Sequence, residues 1–154
     1  MLPQQLLVPI DFSETSQKAL DFAIELGQAL QARLLLLHVI EAPVLGGGPG
    51  EMGMATAYAE VIEQIEADAS RNLEDALQRA RKAGLECTGE LMHGAPFQQI
   101  IDVADRQQVD LIVMGTRGHT GLKHFILGSV AEKAVRLAAC PVLVTPSDVR
   151  EDKA

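Results

Sequence analysis

The stretch DLIVMGTRGHTGLKHFILGSV, residues 110–130, carries four glycines and no acidic side chain after its first residue. It opens on a short apolar run, Asp110 to Met114, with the length and branched composition of a buried strand. It closes on Gly128-Ser129-Val130, where a helical spacing begins through Val130, Ala134, Val135 and Leu137 and continues to Ala139. Between strand and helix lies a glycine-rich loop. A strand feeding through such a loop into a helix is half of a parallel crossover unit, and the rest of the chain repeats that order.

Upstream, Leu6 to Ile10 forms a first candidate strand, followed by Asp11-Phe12-Ser13 with Ser13 placed as a helix N-cap. Leu20, Ala23, Ile24, Gly27 and Leu30 then share one helical face. Arg33 to Ile40 reads RLLLLHVI, an unbroken run expected of a strand covered on both faces. Residues 44–54, VLGGGPGEMGM, are too rich in glycine for regular structure and are expected to form a mobile insertion. A long helical pattern runs from Val61 through Leu73 to Ala80 and stops at Gly84, the position of a C-cap glycine. Glu86 to Met92 is a more polar strand suited to an edge. His93-Gly94-Ala95-Pro96 is a turn, with Pro96 in the first turn of a helix carrying Phe97, Ile100, Ile101 and Ala104. Cys140 to Val144 is a fifth strand, opened by Pro141. Residues 147–154 form a charged, frayed tail. The expectation is one α/β domain over residues 1–154, a doubly wound parallel sheet with helices on both faces.

The bulk numbers narrow the functions. A chain of 154 residues with 47% apolar side chains can bury a core without disulfides or metal. Its net charge of −8 argues against duplex nucleic acid and against an anionic membrane surface. Cys87 and Cys140 stand alone, outside any metal-ligand spacing, and Cys140 in AACPVLV reads as a buried thiol. The N-terminus shows no signal-peptide pattern and no run approaches membrane-spanning length, so a cytoplasmic protein is expected.

Against this acidic background the quoted loop reverses sign. Between Asp110 and Glu132 the only ionised side chains are Arg117 and Lys123, with His119 and His124 beside them. Glycines at 115, 118 and 128 let a ligand approach the backbone, and successive amides can form an anion-binding concavity. The helix start at Gly128-Ser129-Val130 adds unpaired N–H groups, a positive dipole end and the Ser129 hydroxyl. Arg117 lies between two of the glycines and is placed near phosphate, with His119 as a further donor. Lys123 and His124 are read as solvated. In an open parallel sheet the ligand lies beyond the carboxyl ends of the strands at a switch point. That rule adds Pro9, Ile10 and Asp11 from the first strand and Met114 from the fourth. Asp11 can also be a simple helix-start residue, His38 a hydrogen-bonded core histidine, and His93 either a cleft border or a turn residue. Glu60, Glu63, Glu66 and Asp68 read as a solvated helix face.

The spacing G-x2-G-x9-G-S, together with LIVMGTRG, VPIDFSE, LLLLHVIE and CPVLVTP, closely resembles the ATP-binding branch of the universal stress protein family, over roughly Leu6 to Thr145. The resemblance implies a five-stranded Rossmann-like sheet of order 3-2-1-4-5. It implies that Gly115 and Gly118 approach ribose and phosphates, and that Gly128, Ser129 and Val130 cap the phosphates. Asp11 would lie near ribose, phosphates or their magnesium, and the Val39 backbone would bond adenine. ATP, or ADP or AMP, with magnesium is the implied cofactor, and a homodimer through Pro141 to Val144 the implied assembly. A nucleotide-dependent stress-response module is the favoured function, with a slow ATPase or phosphoryl-transfer enzyme, or a structural or chaperone-like dimer, as alternatives. A phosphoacceptor receiver and a flavodoxin are set aside: the first wants paired acids after the first strand, the second a glycine-bearing phosphate loop there.

Overall fold

Leu34, Leu35, Leu36 and Leu37 are all buried, four in a row on one strand. Side chains alternate across a strand, so such a run survives only when both faces are covered. The computed structural model, which describes residues 1–42, 52–116 and 127–147 and the side chains of the second helix from residue 55, meets that demand with helices on both faces. The elements in chain order are β1 (Gln5–Pro9), α1 (Glu14–Leu30), β2 (Arg33–Ile40), α2 (Met52–Lys82), β3 (Cys87–His93), α3 (Pro96–Arg106), β4 (Leu111–Gly115), α4 (Ser129–Leu137) and β5 (Val142–Thr145). The sheet order is β3-β2-β1-β4-β5, all parallel.

The two faces have separate cores. Leu6, Val8, Leu34, Leu36 and Val113 point to α1 and α2, meeting Leu20, Ala23, Leu73 and Leu77. Leu7, Leu35, Leu37, Ile112 and Met114 point the other way, to Ile100, Val103 and Ala104 of α3 and Ala131 and Ala134 of α4. Gly27 on α1 lets the helix sit close to β2, since a Cβ there would lie 2.7 Å from Leu34 Cδ1.

Three helices hand the chain back to the sheet by the same ending. The N–H groups of Ala32, Leu85 and Val109 reach five residues back, to Gly27, Ala80 and Ala104, while Gln31, Gly84 and Gln108 donate three residues back. This is the Schellman pattern, which needs a left-handed residue. Gly84 supplies it at φ 86°, but Gln31 and Gln108 take φ 55° and 51° without a glycine's freedom. Each time the next residue is apolar, and a strand follows within two positions.

The expectations hold with shifted boundaries, and three are corrected. The irregular insertion was expected to reach Met54, yet α2 begins at Met52; alanine, methionine and glutamate after it favour helix, and residues 44–51 lie outside the described residues. Cys140 is partly exposed rather than buried, because it precedes an edge strand. Ser147 is anchored rather than frayed, accepting from Lys18 Nζ at 2.9 Å, while 148–154 lie outside the described residues. No helix among the described residues is long and apolar enough to cross a membrane.

Cys87 is only 4% exposed at the start of β3, and burial pushes its thiol up to about 11, partly offset by Arg81. The folded state therefore holds this proton more tightly than the unfolded chain. Its contribution to stability is complete below pH 9 and disappears as pH rises from about 9 to about 11. Urea titrations across that window should show a fall in stability that Cys87→Ala reduces; an equal fall in both proteins contradicts the assignment.

Candidate functional site

A cleft of about 640 Å³ opens where β1, β2 and β4 end. It sits at the switch point, because β1 is flanked by β2 and β4, whose helices leave to opposite faces. Pro9, Ile10, Asp11, Val39, Met114, Gly115, Gly128, Ser129 and Val130 all line it. Arg117, Gly118 and His119, with Lys123 and His124, lie outside the described residues.

The turn from β1 into α1 builds one wall. Asp11 Oδ1 accepts from Ser13 N–H at 3.0 Å and from the Ser13 hydroxyl, and Ser13 Oγ accepts from Ser16 N–H at 3.3 Å as the N-cap. Asp11 thus serves as a helix-start residue while facing the cleft. Phe12 between them takes φ 64°, a left-handed conformation costly for a bulky side chain. Its ring lies 4.5 Å from that of His38. His38 Nδ1 donates to the Ile10 carbonyl at 2.7 Å, which fixes the tautomer of the neutral ring and leaves Nε2 as acceptor. The core-histidine expectation for His38 is met, and the ring also borders the cleft.

The opposite end is made by the start of α4. The Thr116 carbonyl accepts from Gly128 N–H at 2.6 Å, and Thr116 N–H donates to Thr145 O at 3.1 Å. The expectation of an unpaired Gly128 amide is thereby corrected: that donor closes the base of the loop. The first bond within the helix is Glu132 N–H to Gly128 O. Ser129, Val130 and Ala131 therefore carry the amides that precede the helical ladder, and no side chain among the described residues caps them. Beside them Thr116 Oγ1 is buried without a partner among the described residues. Buried polar atoms rarely stay unpaired, so this hydroxyl suits a polar ligand atom at the cleft floor.

The two described motif glycines play different parts. A Cβ at Gly115 would lie 3.0 Å from both the carbonyl carbon and oxygen of Thr15, so this glycine admits the first turn of α1. Gly128 has φ −57° and ψ 153°, open to any residue.

Several lining residues were not legible in advance. Ile65, Asp68, Ala69 and Asn72 of α2 face the cleft, as do Pro96 and Ile100 of α3. Asp68 had read as solvated. With 31 residues α2 is about 46 Å long, whereas β3 spans about 23 Å, so the helix overhangs the strand ends. That excess length was the available signal. Glu66, also read as solvated, pairs with His93 Nε2 at 3.1 Å, and His93 does not line the cleft.

A larger groove, about 880 Å³, lies at the other end of the strands, beside Gln4, Gln31, Glu86, Gln108 and Asp110. Helix C-termini and carboxylates give it the wrong sign for an anion, and Asp110 Oδ2 is already taken by the amides of Gln4 and Gln5 at 2.9 Å.

A doubly wound sheet with a switch-point cleft is the α/β architecture whose ligands lie beyond the carboxyl ends of the strands. Residues 3–146 match the universal stress protein family, and the chain belongs to it. It is 31% identical to universal stress protein MJ0531 of Methanocaldococcus jannaschii, over 97% of this chain and 86% of that protein. It is 35% identical to universal stress protein YxiE of Bacillus subtilis, over 91% of this chain and 97% of the relative. Among solved structures, UspA from Lactobacillus plantarum superposes with a TM-score of 0.81 at 26% identity, covering 94% of this chain and 98% of that one. A universal stress protein from Archaeoglobus fulgidus in complex with dAMP superposes with a TM-score of 0.63 at 26% identity, covering 94% and 98%.

Gly115→Ala should lower stability by about 1–3 kcal/mol in urea denaturation, since the added methyl presses on backbone. Gly128→Ala should cost less than Gly115→Ala, because its dihedrals need no glycine. The reverse ranking would overturn this division of roles.

Proposed function

We propose that the chain is an ATP-binding stress-response module whose bound nucleotide governs partner choice or dimer behaviour. The observation that carries the reading is the start of α4, Ser129 to Ala131, facing a cleft with the buried Thr116 hydroxyl, neither capped nor partnered among the described residues. Amides ahead of a helical ladder and a positive dipole end suit phosphate oxygens. Support from a relative comes from the Archaeoglobus fulgidus protein, which binds dAMP.

In this reading Ser129, Val130 and the hydroxyls of Ser129 and Thr116 hold phosphate. Gly128 leaves the approach unobstructed, and Arg117, Gly118 and His119, outside the described residues, are assigned to the phosphates from the sequence motif. Val39 contacts adenine, with Pro9, Ile10 and Met114 as apolar walls and Asp11 toward the ribose. The donor set fits the nucleotide. Magnesium would come on the phosphate oxygens, with Asp11 the nearest carboxylate, because no three His, Cys, Asp or Glu side chains converge among the described residues. The ion's chemistry would be charge neutralisation between phosphates.

Among the described residues, the groups lining the cleft do little to drive hydrolysis. Asp11 Oδ1 is engaged by Ser13, and the described lining offers no Lys or Arg to neutralise a transferring phosphoryl group. Binding rather than turnover is the proposed role. A homodimer through the edge strand β5, in the cytoplasm, completes the proposal; pairing there would cover an open sheet edge.

Calorimetry should give ATP binding at one per chain, lost in Gly128→Val while circular dichroism stays native. Unchanged affinity in the folded variant would refute the phosphate assignment. Phosphate release with excess ATP and magnesium should stay well below about one turnover per second; sustained turnover at several per second would favour the enzyme instead.

A further inference from the structure

The crest of the sheet divides the cleft into two unlike halves. On β2, Leu37 and Val39 face α3 and α4, while His38 points the other way, toward Phe12 and the α1–α2 core. In the placement proposed above, a nucleotide with its base at Val39 and its phosphates at Ser129 would lie toward α3 and α4. Ile65, Asp68, Ala69 and Asn72 of α2 line the same cleft.

This second half has its own chemistry. Ile10, Phe12, Ile65 and Ala69 give an apolar surface, and His38 Nε2, Asp68 and Asn72 stand around it. His38 is held by the Ile10 carbonyl through Nδ1, which leaves Nε2 as the ring nitrogen turned to the cleft side. Asp68 Oδ1 accepts from Gln64 Nε2 at 2.9 Å and from Arg71, so the carboxylate is held in place and Oδ2 remains as an acceptor. Acceptors beside an apolar surface suit a flat ring whose attached hydroxyls donate. A carboxylate here disfavours phosphate, in contrast to the α4 end.

We propose that this half is a second recognition subsite, taking a second nucleoside joined through phosphates to the one at Val39. It rests on the nucleotide reading above and extends it from a mononucleotide to a dinucleotide. Doubly wound folds hold dinucleotides across the crevice where the strand order reverses, and here both sides of that crevice are furnished. Asp68 reads the sugar hydroxyls, Phe12 and Ile65 contact the ring, and the bridging phosphates cross near Gly115 to the start of α4.

The test compares ADP with diadenosine compounds bearing two to four bridging phosphates, by calorimetry on the full chain. At least one of the series should bind about tenfold tighter than ADP, at one per chain, the gain expected from new hydrogen bonds to a charged acceptor. Asp68→Ala should remove that gain and leave ADP affinity within about twofold; Asp68→Asn should retain part of it. Asp68 is half-exposed on α2, so neither change disturbs a core. Equal affinity for ADP and the whole series overturns the subsite alone. So does an equal loss for both ligand classes in Asp68→Ala, or two dinucleotides per chain. Failure of ADP itself to bind would remove the nucleotide reading and the subsite with it.

Discussion

β1 is the constraint on which the rest depends. Leu6, Leu7 and Val8 are wholly buried, and the strand is bonded to β2 on one side and β4 on the other. A parallel strand with two neighbours needs two crossovers, and with a fixed hand they run to opposite faces of the sheet. One pair of helices leaves above and the other below. The gap between their departures, directly beyond Pro9, lets chain from both faces border one opening. The cleft follows from covering a strand twice.

Much of this was legible because each face imposes its own period. The RLLLLHVI run could only be a strand buried on both sides, and Gly84 could only end a helix. Sheet order was a different matter: nothing in spacing says that β1 lies between β2 and β4, and that came from family resemblance. Boundaries slipped by a residue or two where an end is set by backbone bonds. Met52 joined a helix because its local composition outweighs the glycines before it.

The site was legible where it is built from backbone and less so where it is built from packing. Glycines, a hydroxyl and a helix start mark the α4 end of the proposed site directly. Gly115 was read as making room for a ligand, but its missing Cβ is filled by Thr15. Gly128 was read as an amide donor, but its donor is held by Thr116. Asp68 and Asn72 were missed because helical periodicity reports which face is turned inward. It does not report whether that face meets a strand or the opening past a strand's end.

The helix endings at Gln31, Gly84 and Gln108 have a consequence for how such a chain can vary. Each leaves only one or two residues before the next strand, with an apolar side chain already fastened in place. Added length there would pull a buried leucine or valine out of register. At the opposite rim the connection between β2 and α2 lies mostly outside the described residues, and its sequence is rich in glycine. Relatives that differ in size should therefore differ at the rim beyond Pro9, so the fold can vary at its open end without renegotiating its foundation.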